Sequence, residues 1–95
     1  MALDQHAYGK VKGSKYRSKI VKLLAESSPK TPKELAEQTG AALNNVSNYL
    51  ATLSELRLVK CLNEDLRKGK LYTLTNKGKE IYSALISNVP VVVSD

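Results

Sequence analysis

The chain has 95 residues, a net charge of +6 at pH 7 and one cysteine, Cys61. This length predicts one domain, and a lone cysteine excludes both an internal disulfide and a cluster of thiolate metal ligands. Apolar residues make up 42% of the chain and charged residues 25%, a composition typical of a folded domain. No stretch approaches the roughly 18 apolar residues of a membrane helix, and the start has no apolar signal core. We therefore expect a cytoplasmic protein.

The positive charge lies mainly in two stretches, residues 1–30 and 64–79, on either side of a neutral middle. Such a distribution is typical of a protein that contacts a polyanion. A solvated surface that keeps a small domain soluble would carry similar charges, so charge alone leaves both interpretations open.

The beginning and the end of the chain lack the regular pattern of its middle. Residues 1–13 combine polar and basic side chains with two glycines, which predicts a basic N-terminal arm, partly helical. From Ser14 to about Ser27, apolar residues at helical spacing predict the first helix of a domain that spans residues 14–88. These apolar residues are Tyr16, Ile20, Leu23 and Leu24. Residues 89–95 are predicted to form an apolar tail.

A short second helix is predicted from about Pro32 to Thr39. Thr31 is suited to be its N-cap, proline is favoured at the first helical position, and Glu34 stands where a capping box places its carboxylate. Gly40 is expected to end the helix, because glycine readily adopts the positive φ of a helix C-terminus.

A third helix is predicted almost immediately afterwards, at residues 42–56. Its buried stripe consists of Val46, Leu50 and Leu53. Two helices joined by so short a turn cross steeply, which predicts a helix-turn-helix unit. Strand-like segments at residues 58–62 and 71–74 enclose a charged hairpin loop, and a last helix is expected after Thr75. The predicted fold class is α+β, mainly α: a winged helix-turn-helix with a three-helix core, a two-stranded wing and a C-terminal helix.

Several segments resemble the core of the ArsR and MarR repressor families. They are residues 34–40 (ELAEQTG), 45–50 (NVSNYL) and 53–59 (LSELRLV), while residues 72–78 (YTLTNKG) resemble the passage from wing to helix in those families. The resemblance covers about Ser14 to Leu85. It implies a regulator of transcription, most simply a repressor, that binds double-stranded DNA as a homodimer.

The sequence departs from the family pattern at three points. Ala42 replaces the usual Ser or Thr N-cap of the third helix, and Arg57 stands where glycine is common. The cysteine motif of the metal-sensing ArsR members is absent from the second helix. We therefore expect no metal and no other cofactor.

The third helix is the candidate recognition helix. Its predicted base-reading residues are Asn44, Asn45, Ser47, Asn48 and Thr52. Asparagine can bond N6 and N7 of adenine in the major groove, and this helix has no Lys or Arg. Direct reading would therefore favour A·T pairs, and affinity would come from elsewhere. An ordinary solvated helix face is the alternative.

Cations elsewhere are the candidates for contacts with the DNA backbone. The wing contributes Arg67, Lys68 and Lys70; the other predicted backbone contacts are Thr31, Lys33, Lys15, Arg17 and Tyr49. Tyr49 could equally pack in the core. The predicted dimer interface consists of Tyr16, Ile81, Tyr82, Leu85 and Ile86, and if it forms, the cations near Tyr16 are merely exposed.

Two other functions remain open at this point. A basic winged helix could bind RNA, as in some ribosomal proteins, or it could serve for protein contact in the transcription machinery. Catalysis is not expected, because the sequence has no recognisable pair of nucleophile and base and no glycine-rich phosphate loop. We assign His6 no role, and we interpret Cys61 as a small strand residue rather than a redox switch.

Overall fold

The structure is a computed structural model that describes residues 3–91. The elements follow in the order α1 (Gln5–Lys12), α2 (Lys15–Glu26), α3 (Pro32–Thr39), α4 (Leu43–Glu55), β1 (Val59–Cys61), β2 (Tyr72–Leu74) and α5 (Asn76–Ile86). The two strands pair antiparallel, with Lys60 opposite Thr73. This mainly helical arrangement with a two-stranded wing confirms the predicted fold class. No helix within residues 3–91 is long and apolar enough to cross a membrane.

The predicted capping box and the predicted glycine C-cap of α3 are confirmed. The Thr31 hydroxyl accepts a hydrogen bond from the Glu34 amide at 3.1 Å, and the Glu34 carboxylate accepts one from the Thr31 amide at 3.0 Å. The Thr31 amide and the Thr31 hydroxyl both donate to the Glu34 carboxylate, and these two bonds lower the pKa of Glu34, because they favour its charged form. Gly40 ends the helix at φ 77°, so α4 can begin only a few residues later.

Helix α4 begins without a side-chain hydrogen bond at its N-cap, Ala42, as the departure from the family pattern predicted. Its predicted stripe of Val46, Leu50 and Leu53 is buried in the core. Because this stripe fixes the rotation of the helix about its axis, the asparagine-rich opposite side is left exposed.

Arg57, where the families favour glycine, has φ 62°. This left-handed conformation costs an L-residue about 1–2 kcal/mol, which the greater flexibility of an unfolded glycine only partly offsets. We therefore expect Arg57→Gly to raise the free energy of unfolding by about 0.5–1 kcal/mol. Urea denaturation of the two proteins measures this difference, and Arg57→Ala, which keeps the Cβ atom, is the control that should show no such gain.

Residues 5–12, predicted as part of a partly helical basic arm, form the helix α1, which belongs to the core. Ala7, Tyr8 and Val11 are fully buried in the same core as the other helices. The Tyr8 hydroxyl donates to the carbonyl oxygens of Ala84 and Val89. Only these few apolar residues mark the segment, and the hydrogen-bond partners of Tyr8 lie at the other end of the chain, so the local pattern was too weak to predict a core helix.

The predicted C-terminal tail begins inside the fold. Val89 packs against the core, and the Lys12 ammonium group donates to its carbonyl oxygen at 2.9 Å. Val91 is exposed, and the remainder of the predicted tail lies outside the described residues. The core domain therefore includes α1 and reaches at least Val89.

Asp4 connects the first helix to the last. Its carboxylate caps α1 by accepting from the Ala7 amide at 3.0 Å and forms an ion pair with Lys77 at 2.6 Å. The hydrogen bond from Lys77, followed by the bond from Ala7, lowers the pKa of Asp4 below its ordinary value. Lys77 also donates to the carbonyl oxygen of Leu56 at 3.0 Å, so it joins three parts of the fold.

The lowered pKa of Asp4 gives this contact a defined pH dependence. A carboxylate with a lowered folded-state pKa stabilises the protein above its unfolded pKa, and that contribution is lost as the pH falls through the folded-state pKa. We expect Asp4→Asn, which retains a capping oxygen, to be less stable than wild type at pH 7, with the difference vanishing as the pH falls through the lowered folded-state pKa of Asp4. Denaturation curves over a series of falling pH values measure this, whereas Lys77→Gln should keep part of its loss of stability at low pH, because it also loses the bond to the Leu56 carbonyl oxygen. A difference that stays constant with pH would contradict it.

Candidate nucleic-acid interface

A cleft of about 740 Å³ lies between the start of α3, the start of α4 and the wing. Its lining includes Thr31, Pro32, Lys33, Leu43, Ser47, Leu50, Arg67, Lys68, Gly69, Lys70 and Tyr72. Because α3 is short and Gly40 turns the chain back at its end, both helices present their N-terminal turns to the same space. The cleft therefore joins predicted residues from three separate segments of the sequence.

The side chains of the cleft favour a negatively charged ligand. Lys33, Arg67, Lys68 and Lys70 are among its lining residues, and no carboxylate of the described chain is among them. Tyr72 also lines the cleft, and partial burial raises the pKa of its phenol. Tyr72 therefore stays protonated at neutral pH and retains a hydrogen-bond donor.

The exposed side of α4 carries the predicted base-reading residues. Asn44, Asn45, Ser47 and Asn48 are exposed, whereas Thr52 is half-buried. Ser47 lines the cleft, and the asparagines lie outside its lining on the neighbouring surface of the helix. The polar groups of these side chains are therefore available to a partner along the first two turns of the helix.

Tyr49 stacks against Tyr16 of α2, with ring centroids 5.6 Å apart and an interplanar angle of 18°. Both rings are half-buried. Neither tyrosine belongs to the fully buried core, so the stack is a contact between α2 and α4 at the surface. This pairing was not predicted, because no local sequence pattern relates residues that lie so far apart in the chain.

The wing loop is held together by Asn63, which sequence analysis missed. Its side-chain oxygen accepts a hydrogen bond from the Leu71 amide at 2.7 Å, and its side-chain nitrogen donates to the Gly69 carbonyl at 3.1 Å. Gly69 has φ 71°, a conformation that favours glycine. These bonds fix the end of the loop that carries Arg67, Lys68 and Lys70 towards the cleft.

A second missed contact joins the start of α3 to the wing. Lys30 forms a bridge with Tyr72, with hydrogen bonds of 3.0 and 2.8 Å between their backbone groups. The bridge sets the distance between the N-terminus of α3 and β2, which bound the cleft from two sides. A lone lysine after a proline gives no strand pattern, which explains why the sequence did not reveal it.

The structure restricts two of the predicted backbone contacts, Thr31 and Arg17. Both donors of Thr31, its amide and its hydroxyl, are engaged by the Glu34 carboxylate, so Lys33 is the better placed group at this corner. The Arg17 guanidinium donates to the Lys10 carbonyl at 3.0 Å. Lys15 is exposed, but neither it nor Arg17 is among the residues that line the cleft.

The predicted dimer interface needs one correction. Ile81 is 0% exposed within a single chain, so it packs in the core and cannot reach a second copy. The reason is the helical phase of α5, which directs Ile81 and Ala84 inward. Ile86 is 61% exposed, while Tyr82 and Leu85 are half-buried at the edge of the core.

Within residues 3–91, no group of three or more His, Cys, Asp or Glu side chains lies close enough together to hold a metal ion. Cys61 lies on β1, half-buried, and its thiol contacts the side-chain oxygen of Asn63 at 3.5 Å. It therefore belongs to the packing of the wing base.

Comparison with known proteins identifies the helix-turn-helix. The sequence pattern of the bacterial regulatory proteins of the arsR family matches residues 14–60, from the cap of α2 into β1. The phenylalanine–tRNA ligase alpha subunit of Metallosphaera sedula is 38% identical over 61 residues, which are 64% of this chain and 13% of that protein. The chain thus corresponds to a small part of this relative.

Solved structures of similar fold include proteins named as regulators of the MarR family. The multiple antibiotic-resistance repressor MarR of Listeria monocytogenes aligns with a TM-score of 0.73 at 12% identity, over 90% of this chain and 58% of that one. Streptococcus pneumoniae FabT, determined in complex with DNA, aligns with a TM-score of 0.62 at 17% identity, over 93% and 71%. At these identities the likeness concerns the fold. Together with the wing geometry, it shows that the chain has a winged helix-turn-helix fold, in which residues 14–60 are similar to the bacterial regulatory proteins of the arsR family.

Proposed function

We propose that the protein binds double-stranded DNA as a homodimer and represses transcription in the cytoplasm. The observation that carries this proposal is the cleft, in which the N-terminal turns of α3 and α4 meet the basic wing. A recognition helix with uncharged polar side chains and a separate cationic wing are suited to a duplex, whose bases and phosphates lie on different surfaces.

The two parts of this surface have different tasks. Asn44, Asn45 and Asn48 are exposed on α4, where amide groups can bond base edges in the major groove. Arg67, Lys68 and Lys70 supply charge next to them, and contact with phosphates or the minor groove gives affinity by releasing counterions. Lys33 adds a cation on the far side of the cleft.

The exposed apolar surface at the end of α5 favours a second copy of the chain as its partner. Ile86 and Val91 are 61% and 41% exposed, and Tyr82 and Leu85 continue this apolar surface at the core boundary. A domain of this size buries only a modest fraction of its surface, so pairing would add stability. Repression then needs only occupancy of a promoter by the dimer.

Binding competition tests the nucleic-acid partner. Sequences selected from random duplex DNA should bind more tightly than random duplex, and unlabelled transfer RNA should compete weakly at moderate salt. Transfer RNA is the critical competitor because one relative is a tRNA ligase subunit. Stronger competition by transfer RNA would favour RNA binding, and no binding to either would favour protein contact. Transcription from a template with the selected site should fall when the protein is added.

Light scattering tests the dimer. Wild type at micromolar concentration should have twice the mass of the chain, whereas Ile86→Lys should be monomeric. Leu62→Lys is the matched control, because Leu62 is 53% exposed but lies outside α5. A dimer should prefer inverted half-sites about one helical turn, roughly 34 Å, apart. A wild-type monomer with and without DNA would contradict the dimer.

A further inference from the structure

Leu43 is an apolar side chain in an unexpected place. It is the first residue of α4 and lies three residues before Val46, in line with the buried stripe of that helix. The core does not cover it: Leu43 is 52% exposed, whereas Val46 and Leu50 are buried. Its side chain lines the cleft next to Ser47 and opposite the wing.

The position of Leu43 suits a contact with a base. In helix-turn-helix proteins the N-terminal residues of the recognition helix reach the base edges in the major groove. Leu43 has no hydrogen-bond donor or acceptor in its side chain, so only an apolar group can be its ligand. Among the four bases, the major-groove edge offers one such group, the C5-methyl of thymine.

We infer that Leu43 is a specificity-determining residue that contacts the C5-methyl group of a pyrimidine in the DNA half-site, normally thymine. This inference rests on the proposed function, since it assumes that α4 lies in the major groove. It also agrees with the chemistry of the neighbouring residues, because Asn44 and Asn48 favour adenine. An A·T-rich half-site would supply both groups.

Removal of the methyl group takes away one buried apolar group, so binding is expected to be about fourfold weaker per half-site. The experiment uses the full chain and a duplex site selected from random DNA. Each thymine is replaced in turn by deoxyuridine, which removes only the methyl group. In a second arm, each cytosine is replaced by 5-methylcytosine, which distinguishes methylated cytosine from thymine as the source of the methyl group.

Three variants assign the effect to Leu43. Leu43→Ala should bind the thymine and uracil duplexes equally, and Leu43→Met should keep the preference for thymine because methionine is also long and apolar. Leu62→Ala is the matched control, since Leu62 is equally exposed but is not among the residues that line the cleft. It should discriminate like wild type. Thermal unfolding verifies that all three variants are folded.

The possible outcomes distinguish the inference about Leu43 from the proposed DNA binding. A methyl preference at one position that disappears only in Leu43→Ala supports the inference. Tight binding by wild type with equal affinity for thymine and uracil at every position, and no gain from 5-methylcytosine, overturns the inference and leaves DNA binding intact. If Leu43→Ala retains the preference for a methyl group, the inference is likewise overturned and DNA binding is left intact. Failure of wild type to bind any duplex overturns both.

Discussion

Replacing Gly78 with alanine is expected to lower the free energy of unfolding by about 3 kcal/mol or more, among the largest effects of a single substitution. Gly78 lies in the first turn of α5, where a Cβ atom would stand 2.1 Å from the carbonyl oxygen of Leu58. That carbonyl cannot easily move, because it accepts a hydrogen bond from the Thr75 amide at 3.0 Å. Leu74 is also close, with its Cδ2 atom 3.1 Å from the added Cβ.

Thermal unfolding measures this prediction, and a fall in Tm of more than about 10 °C is expected for a domain of this size. Gly9→Ala is the matched control. Gly9 lies inside α1, and a Cβ atom there would meet Val91 Cγ1 at an ordinary 3.6 Å. Alanine should stabilise this helix by about 0.5–1 kcal/mol. If Gly78→Ala unfolded close to the wild-type temperature, the close packing of α5 against Leu58 would be contradicted.

The second large effect is a separation of affinity from sequence preference. The double variant Arg67→Ala, Lys68→Ala should bind every duplex more weakly, with a salt dependence shallower by about 0.9 for each lost phosphate contact. Asn48→Ala should leave that slope nearly unchanged. It should instead cost roughly 1–3 kcal/mol at particular base pairs, because an uncharged amide bonds bases without displacing counterions.

Binding titrations at several salt concentrations, on a selected site and on random duplex, measure both effects. The double variant Lys19→Ala, Lys22→Ala is the control, since it removes the same charge from exposed positions on α2 outside the cleft lining. Its salt slope should stay near that of wild type. If Asn48→Ala weakened the selected site and random duplex equally, α4 would not be the reading helix.

The sequence by itself determined the elements whose signals are local. Thr31, Glu34 and Gly40 bound α3 as predicted, since a capping box and a positive-φ glycine each act within a few residues. The predicted buried stripe of α4 was also correct, because residues at this spacing lie on one face of a helix. From these segments and their resemblance to known repressors, the winged helix-turn-helix fold followed.

Only the tertiary structure determined which residues are buried and which distant residues contact each other. Tyr8 is a fully buried core residue, and its hydroxyl reaches the carbonyl oxygen of Ala84, 76 positions away. Ile81 was predicted to lie at a dimer interface but is buried, whereas Leu43, for which no burial was predicted, continues the spacing of a buried stripe and is exposed. Helical periodicity fixes the direction of a side chain, whereas burial depends on what the rest of the chain places in front of it.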